Sequence, residues 1–166
     1  SEAAVAAADA AFRTALALRT RAFGERGVQT AASCSTMSTF AYLRGRWDEA
    51  ESWERQALAI RRQALPPGDP ALAESLDGLG VVLVRPGRLA DAEPLLVESV
   101  RVYSKAPTAA SDKRLESLNS LAELYRQQDR LVDSERTFRE AIAGAAALGA
   151  EGAALPKLIE TELNLA

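Results

Sequence analysis

Histidine is absent from the 166 residues, and cysteine occurs once, as Cys34. The first absence removes the commonest general base, the commonest transition-metal ligand and the usual pH switch. The second excludes a disulfide within the chain. Aromatic residues make up only 5%, so a core must be built from Ala, Leu and Val. Ala and Leu are strong helix formers, and the strand-favouring Thr, Ile and Tyr are scarce. No apolar run approaches the roughly 18 residues that a membrane span needs. The N-terminus has no charged region leading into an apolar stretch, as a signal peptide would. Twenty Lys and Arg face 23 Asp and Glu, a net charge of −3, so the basic surplus that a general nucleic-acid binder needs is missing. A glycine-rich phosphate loop, a His-Glu metal motif and a nucleophile beside a base are all absent too. We therefore expect no enzyme, no catalytic residue, no cofactor, no metal site, no nucleic acid and no membrane partner.

What remains is a helical composition with room for one domain. Arg far outnumbers Lys and Ala is abundant, which suggests GC-rich coding and a bacterial source; the expected location is cytoplasmic. The missing initial Met points to a processed chain or an excised piece.

A repeat organises the chain. Trp47, Ala50, Glu51, Ala57 and Leu58 return forty-two residues later as Leu89, Ala92, Glu93, Ser99 and Val100. They return again as Leu131, Ser134, Glu135, Ala141 and Ile142, and one step earlier as Val5, Ala8, Asp9, Ala15 and Leu16. Ahead of the last three stand Cys34-Met37-Ser38-Ala41, Leu76-Leu79-Gly80-Leu83 and Leu118-Leu121-Ala122-Tyr125. Spacings of three, one and three make one stripe of an α-helix. Each stripe ends in a turn, at Gly45, Pro86-Gly87 and Asp129. A second helix then opens with acids at Asp48-Glu49, Asp91 and Asp133, where the helix dipole favours them. Leu65-Pro66-Pro67-Gly68-Asp69-Pro70 is a helix stop followed by a fresh start. Helices are expected at about 2–22, 28–44, 47–64, 70–85, 89–105, 109–128, 131–148 and 153–166. Small residues at Ser38, Gly80 and Ala122, and at Ala50, Ala92 and Ser134, let paired helices approach to about 8 Å. Trp47 belongs to a core row, and Cys34 reads as a small buried hydrophobe. Trp53 is either packed on the next helix or half exposed as a partner anchor. Glu54 departs from its row, which otherwise holds Phe12, Leu96 and Phe138.

Ser117-Leu118-Asn119-Ser120-Leu121-Ala122-Glu123-Leu124-Tyr125 and Ala92-Glu93-Pro94-Leu95-Leu96 resemble the two helices of a tetratricopeptide (TPR) repeat of the long, kinesin-light-chain type. The forty-two-residue step and Gly68-Asp69-Pro70 fit that type. The resemblance implies an all-α, right-handed α–α superhelix of about eight antiparallel helices, forming one domain over 1–166. Its parts would be the second helix of a partial repeat with linker (1–27), repeats at 28–69, 70–111 and 112–152, and a capping or truncated helix at 153–166. Helix 2–22 would then miss its first-helix partner, leaving Val5, Phe12 and Leu16 open on one side.

The resemblance also implies that first helices line a concave wall. Its inward rows are Ser35, Asp77 and Asn119; Thr39, Val81 and Glu123; and Tyr42, Val84 and Arg126. Glu74 and Glu116 lie a turn earlier, and Arg85 and Gln127 at the far edge. Asn119 can bond a peptide backbone, and Arg85 and Arg126 can pair with an acidic side chain; solvated polar residues are the plain alternative. Glu74, Asp77, Glu116 and Glu123 oppose a carboxylate clamp of the chaperone-binding kind, so a basic or mixed ligand fits better. The expected function is a protein-interaction scaffold, a fragment of a larger protein, with a peptide or protein partner. The alternatives are a regulatory segment of a larger bacterial kinase or ATPase, and a self-assembling module whose N-terminal helix face makes a homo-oligomer.

Overall fold

The computed structural model describes residues 1–106 and 111–147. It holds seven helices in chain order: α1 Glu2–Phe23, α2 Val28–Leu43, α3 Trp47–Ala64, α4 Pro70–Val84, α5 Leu89–Tyr103, α6 Ser111–Gln127 and α7 Leu131–Ala147. Among the described residues there is no strand. The eighth helix, expected at 153–166, lies outside the described residues.

The turns inside the repeats explain their own sequence. Gly45, Gly87 and Asp129, forty-two residues apart, have φ of 71°, 81° and 60°. In each turn the following arginine N–H reaches back to a carbonyl of the last helical turn. Arg46 donates to Ala41 at 3.0 Å, Arg88 to Leu83 at 3.1 Å and Arg130 to Tyr125 at 2.9 Å. This closure satisfies carbonyls that a helix end otherwise leaves unpaired, and it needs a left-handed residue. A Cβ at Gly87 would meet nothing within 4 Å, so that site isolates the backbone cost. Gly87→Ala is expected to lower stability by about 1 kcal/mol, seen as a lower urea midpoint at unchanged slope.

The small residues mark where paired helices cross. The Ser38 hydroxyl donates to the Ala50 carbonyl at 2.8 Å. Two repeats later the roles reverse, and Ser134 donates to Ala122 at 2.9 Å. The middle pair has glycine instead: a Cβ on Gly80 would lie 2.6 Å from Cγ and Cδ2 of Leu96. Leu96 is fully buried in the largest core cluster, with Leu76, Leu79, Leu83 and Leu124. Arginines tie the second helices together on the outside. Arg88 reaches Glu51 at 2.8 Å and Arg130 reaches Glu93 at 2.7 Å, both across thirty-seven residues. These exposed pairs contribute at most about 1 kcal/mol each.

Helix α1 packs against α2. Phe12 meets Phe40 edge-on at 5.3 Å, and Leu16 packs on the cluster of Ala31 and Cys34. Its remaining face is bare. Leu18 is 62% exposed, whereas Ile60 and Val102, at the same register in α3 and α5, are 7% and 3% exposed.

Candidate partner-binding groove

Successive first helices approach each other, α2 to α4 and α4 to α6. Their repeated rows therefore run side by side along one wall, while α3, α5 and α7 form the other layer. The eight candidate residues fall into two groups on that wall.

Glu74, Asp77, Glu116 and Asn119 stand toward the N-terminal turns of α4 and α6. Glu74 is half exposed and accepts from the buried Arg61 Nη2 at 2.9 Å. Glu116 is exposed and accepts from Lys113 at 2.7 Å. Asp77 and Asn119 are half-buried. Oδ1 of each is covered and finds no hydrogen-bond partner among the described residues.

Tyr42, Arg85, Glu123 and Arg126 stand toward the C-terminal turns. Arg85 Nε donates to the Tyr42 hydroxyl at 2.6 Å, with the guanidinium 5.5 Å from the Tyr42 ring centre. Trp47 meets the Tyr42 ring edge-on at 5.2 Å. Arg126 grips Glu123 with two bonds of 2.7 Å, and Gln127 adds a third at 2.8 Å. Both arginines, read from the sequence as able to pair with an acidic side chain or as solvated charge, carry contacts within the wall.

The tetratricopeptide-repeat family profile matches residues 5–63, 34–105 and 71–147. The chain belongs to the tetratricopeptide-repeat family. This TPR chain is also similar to solved structures. A crystal structure of a Podosopora anserina putative kinesin light chain with nearly identical TPR-like repeats superposes with a TM-score of 0.78 at 19% identity, covering 96% of this chain and 75% of that one. A single-substitution variant of that Podosopora protein gives 0.80 at the same identity and coverage. BtubC (BKLC) from P. vanneervenii gives 0.76 at 14% identity, covering 83% of this chain. The TPR chain spans about half of BtubC, 55% of its length. These likenesses establish the right-handed superhelix of kinesin-light-chain-like repeats. No curated protein matches the sequence significantly.

Charge divides the TPR wall. Burial pushes the Asp77 carboxyl up to about 6; Glu116 adds to the rise, while Ser117, Ser120 and Lys113 oppose it. At the other end, hydrogen bonding from Arg126 holds Glu123 below the usual carboxylate range.

Sequence reasoning passed over a polar seam behind the wall. Glu54 is 3% exposed, and its carboxylate accepts from Ser35 Oγ at 2.9 Å. It passes so close to Gly78 that a Cβ there would lie 3.1 Å from its Cδ. Desolvation raises its pKa, and hydrogen bonds from Ser35 and Ser75 pull the other way. Beside it Arg61 Nη1 donates to Ser75 Oγ at 2.7 Å, as Arg19 Nη1 does to Ser33 Oγ at 3.0 Å. The repeated fourteen-residue Arg-to-Ser spacing was the signal for that pair.

The other singled-out residues are packing elements. Cys34 is fully buried, and desolvation pushes its thiol up to about 11, the opposite of a reactive cysteine. Trp53 is half-buried on the Ala31–Cys34–Ala57 cluster, with Nε1 donating to Glu49 at 3.4 Å. Glu51 and Arg55 pair at 2.7 Å. The described residues hold no group of three or more potential metal ligands, and no helix among them is long and apolar enough to cross a membrane.

Proposed function

We propose that this TPR chain is a protein-interaction scaffold whose concave wall, formed by α2, α4 and α6, holds a segment of a partner protein. The observation that carries this reading is the Ser35–Asp77–Asn119 row. It brings two covered acceptor oxygens without a partner among the described residues, Asp77 Oδ1 and Asn119 Oδ1, to one wall, although the Asp77 carboxyl as a whole also feels the Ser117 and Ser120 hydroxyls. Buried acceptors ordinarily have partners, and the N–H groups of an extended peptide or a basic side chain would supply them. Glu74 and Glu116 at the rim favour the same basic or mixed ligand and repel a carboxylate.

A peptide-array screen with the 166-residue chain tests this, repeated with the double variant Asn119→Ala plus Arg126→Ala. Hits enriched in Lys and Arg are expected, and they should vanish in the variant while its helical circular dichroism stays unchanged. Hits retained by the folded variant would place the site elsewhere.

A second reading, assembly through α1, rests on the contrast between Leu18 and its buried counterparts Ile60 and Val102. Sedimentation velocity should then show association that grows with concentration and disappears in Leu18→Glu. A monomer at every concentration contradicts that reading.

A further inference from the structure

The opposite face of the array carries a second groove. Between α3 and α5 a cleft of about 540 Å³ opens, with Leu58, Leu79, Leu83 and Leu95 forming its floor. The cleft exists at this seam because the register places small residues on both of its banks, Ala59 on α3 and Ala90 on α5. One repeat later those two positions hold Arg101 and Val132. There, too, Arg130 lies over the Tyr125 ring, 4.2 Å from its centre. Leu83 takes the place of that tyrosine at the α3–α5 seam, so Arg88 has no ring to cover and the apolar floor stays open.

The rim of the cleft is cationic. Arg55, Arg62 and Arg88 surround it, and their carboxylates are shared. Glu51 serves both Arg55 at 2.7 Å and Arg88 at 2.8 Å. Asp91 serves Arg88 at 2.6 Å. Glu98 lies 3.6 Å from Arg62 and 3.8 Å from Arg101, distances too long for hydrogen bonds. Of the charged side chains that line the cleft itself, three are arginines and one is the carboxylate Asp91. Arg62 has only the distant Glu98, which Arg101 outside the cleft also draws on, and its side chain is about half exposed, at 52%. A helix laid between two helices buries its apolar stripe and leaves its flanks to the rim. Arginine rims select carboxylate flanks.

We infer that the α3–α5 cleft is a second docking site, for an acidic amphipathic helix that sets aliphatic side chains on the leucine floor and carboxylates against Arg55, Arg62 and Arg88. The concave wall is acidic at Glu74, Asp77 and Glu116, so the two faces select partners of opposite charge.

The test uses a fluorescein-labelled helical peptide of about fourteen residues, with leucine at every third and fourth position and glutamate on its flanks. A second peptide replaces each glutamate by lysine. Fluorescence anisotropy is read against the 166-residue chain, Arg62→Glu, Ala59→Trp, and the groove variant Asn119→Ala plus Arg126→Ala. The acidic peptide is expected to bind at least about tenfold tighter than the lysine peptide. Ala59→Trp fills the cleft from an exposed position, and Arg62→Glu reverses the rim; each should weaken binding at least about tenfold. The groove variant should bind unchanged, which separates this inference from the concave-wall reading. Equal binding of both peptides, no saturation up to about 1 mM, or full affinity in Arg62→Glu overturns the inference. Loss of binding in the groove variant alone overturns it as well, by moving the peptide to the concave wall. Should Ala59→Trp fail to fold, Arg62→Glu decides.

Discussion

Leu96→Ala is expected to lower the unfolding free energy by about 3–4 kcal/mol, measured by urea denaturation. Leu96 is fully buried at the centre of the largest core cluster. Truncating such a leucine loses its transfer energy and leaves a cavity that rigid helices fill only in part. The neighbouring glycine gives the prediction a second arm. Gly80 exists because Leu96 occupies the space its Cβ would need, at 2.6 Å. Gly80→Ala alone should therefore destabilise by about 1–2 kcal/mol, overpacking outweighing the better helix propensity of alanine. In the Leu96→Ala background the same change meets no leucine and should be neutral or stabilising. The resulting coupling, of about 1 kcal/mol or more, would show that the small-residue row is set by its facing residue. Additive effects would show that Gly80 is there for another reason.

Asp77→Asn is expected to stabilise the fold by about 2–3 kcal/mol at pH 8 and to do almost nothing at pH 4. Burial raises the Asp77 carboxyl from 3.8 to about 6, so the folded chain binds this proton more tightly than the unfolded chain does. Wild-type stability attributable to this group therefore falls as pH rises from about 4 through 6, and it is constant above that window. The asparagine has no proton to lose and skips the fall. Thermal melts of both proteins from pH 4 to pH 8 should diverge across that window. Parallel melting curves would mean that Asp77 keeps its charge at no cost.

The architecture was legible because a forty-two-residue step fixes which way each Cβ points. Ala50, Ala92 and Ser134 fall into one buried row by numbering alone, and Gly45, Gly87 and Asp129 punctuate each pair at the same place. The row of Trp47, Leu89 and Leu131, expected in the core, is only partly buried, and Leu131 is 56% exposed. The inward rows at Ser35, Asp77 and Asn119 follow by the same logic, since a residue beside a packing stripe faces the adjacent groove. Side-chain ends were not legible. Periodicity placed Glu54 in the row of Phe12, Leu96 and Phe138. It could not show the carboxylate turning past Gly78 to reach Ser35. Nor could it show Arg85 spending its Nε on Tyr42, forty-three residues away, because the reach of a long flexible side chain has no period. The α3–α5 cleft is a third case: it comes from two alanines on different helices, and no single row of the repeat displays both.

The central claim is that partners are held on the wall of α2, α4 and α6. A photo-crosslinking residue at position 119, with a matched one at position 136 on the exposed outer side of α7, tests it most directly once a peptide from the array is in hand. The account predicts a strong crosslink from 119, competed away by unlabelled peptide, and background from 136. Crosslinking from 136 with none from 119 would contradict it.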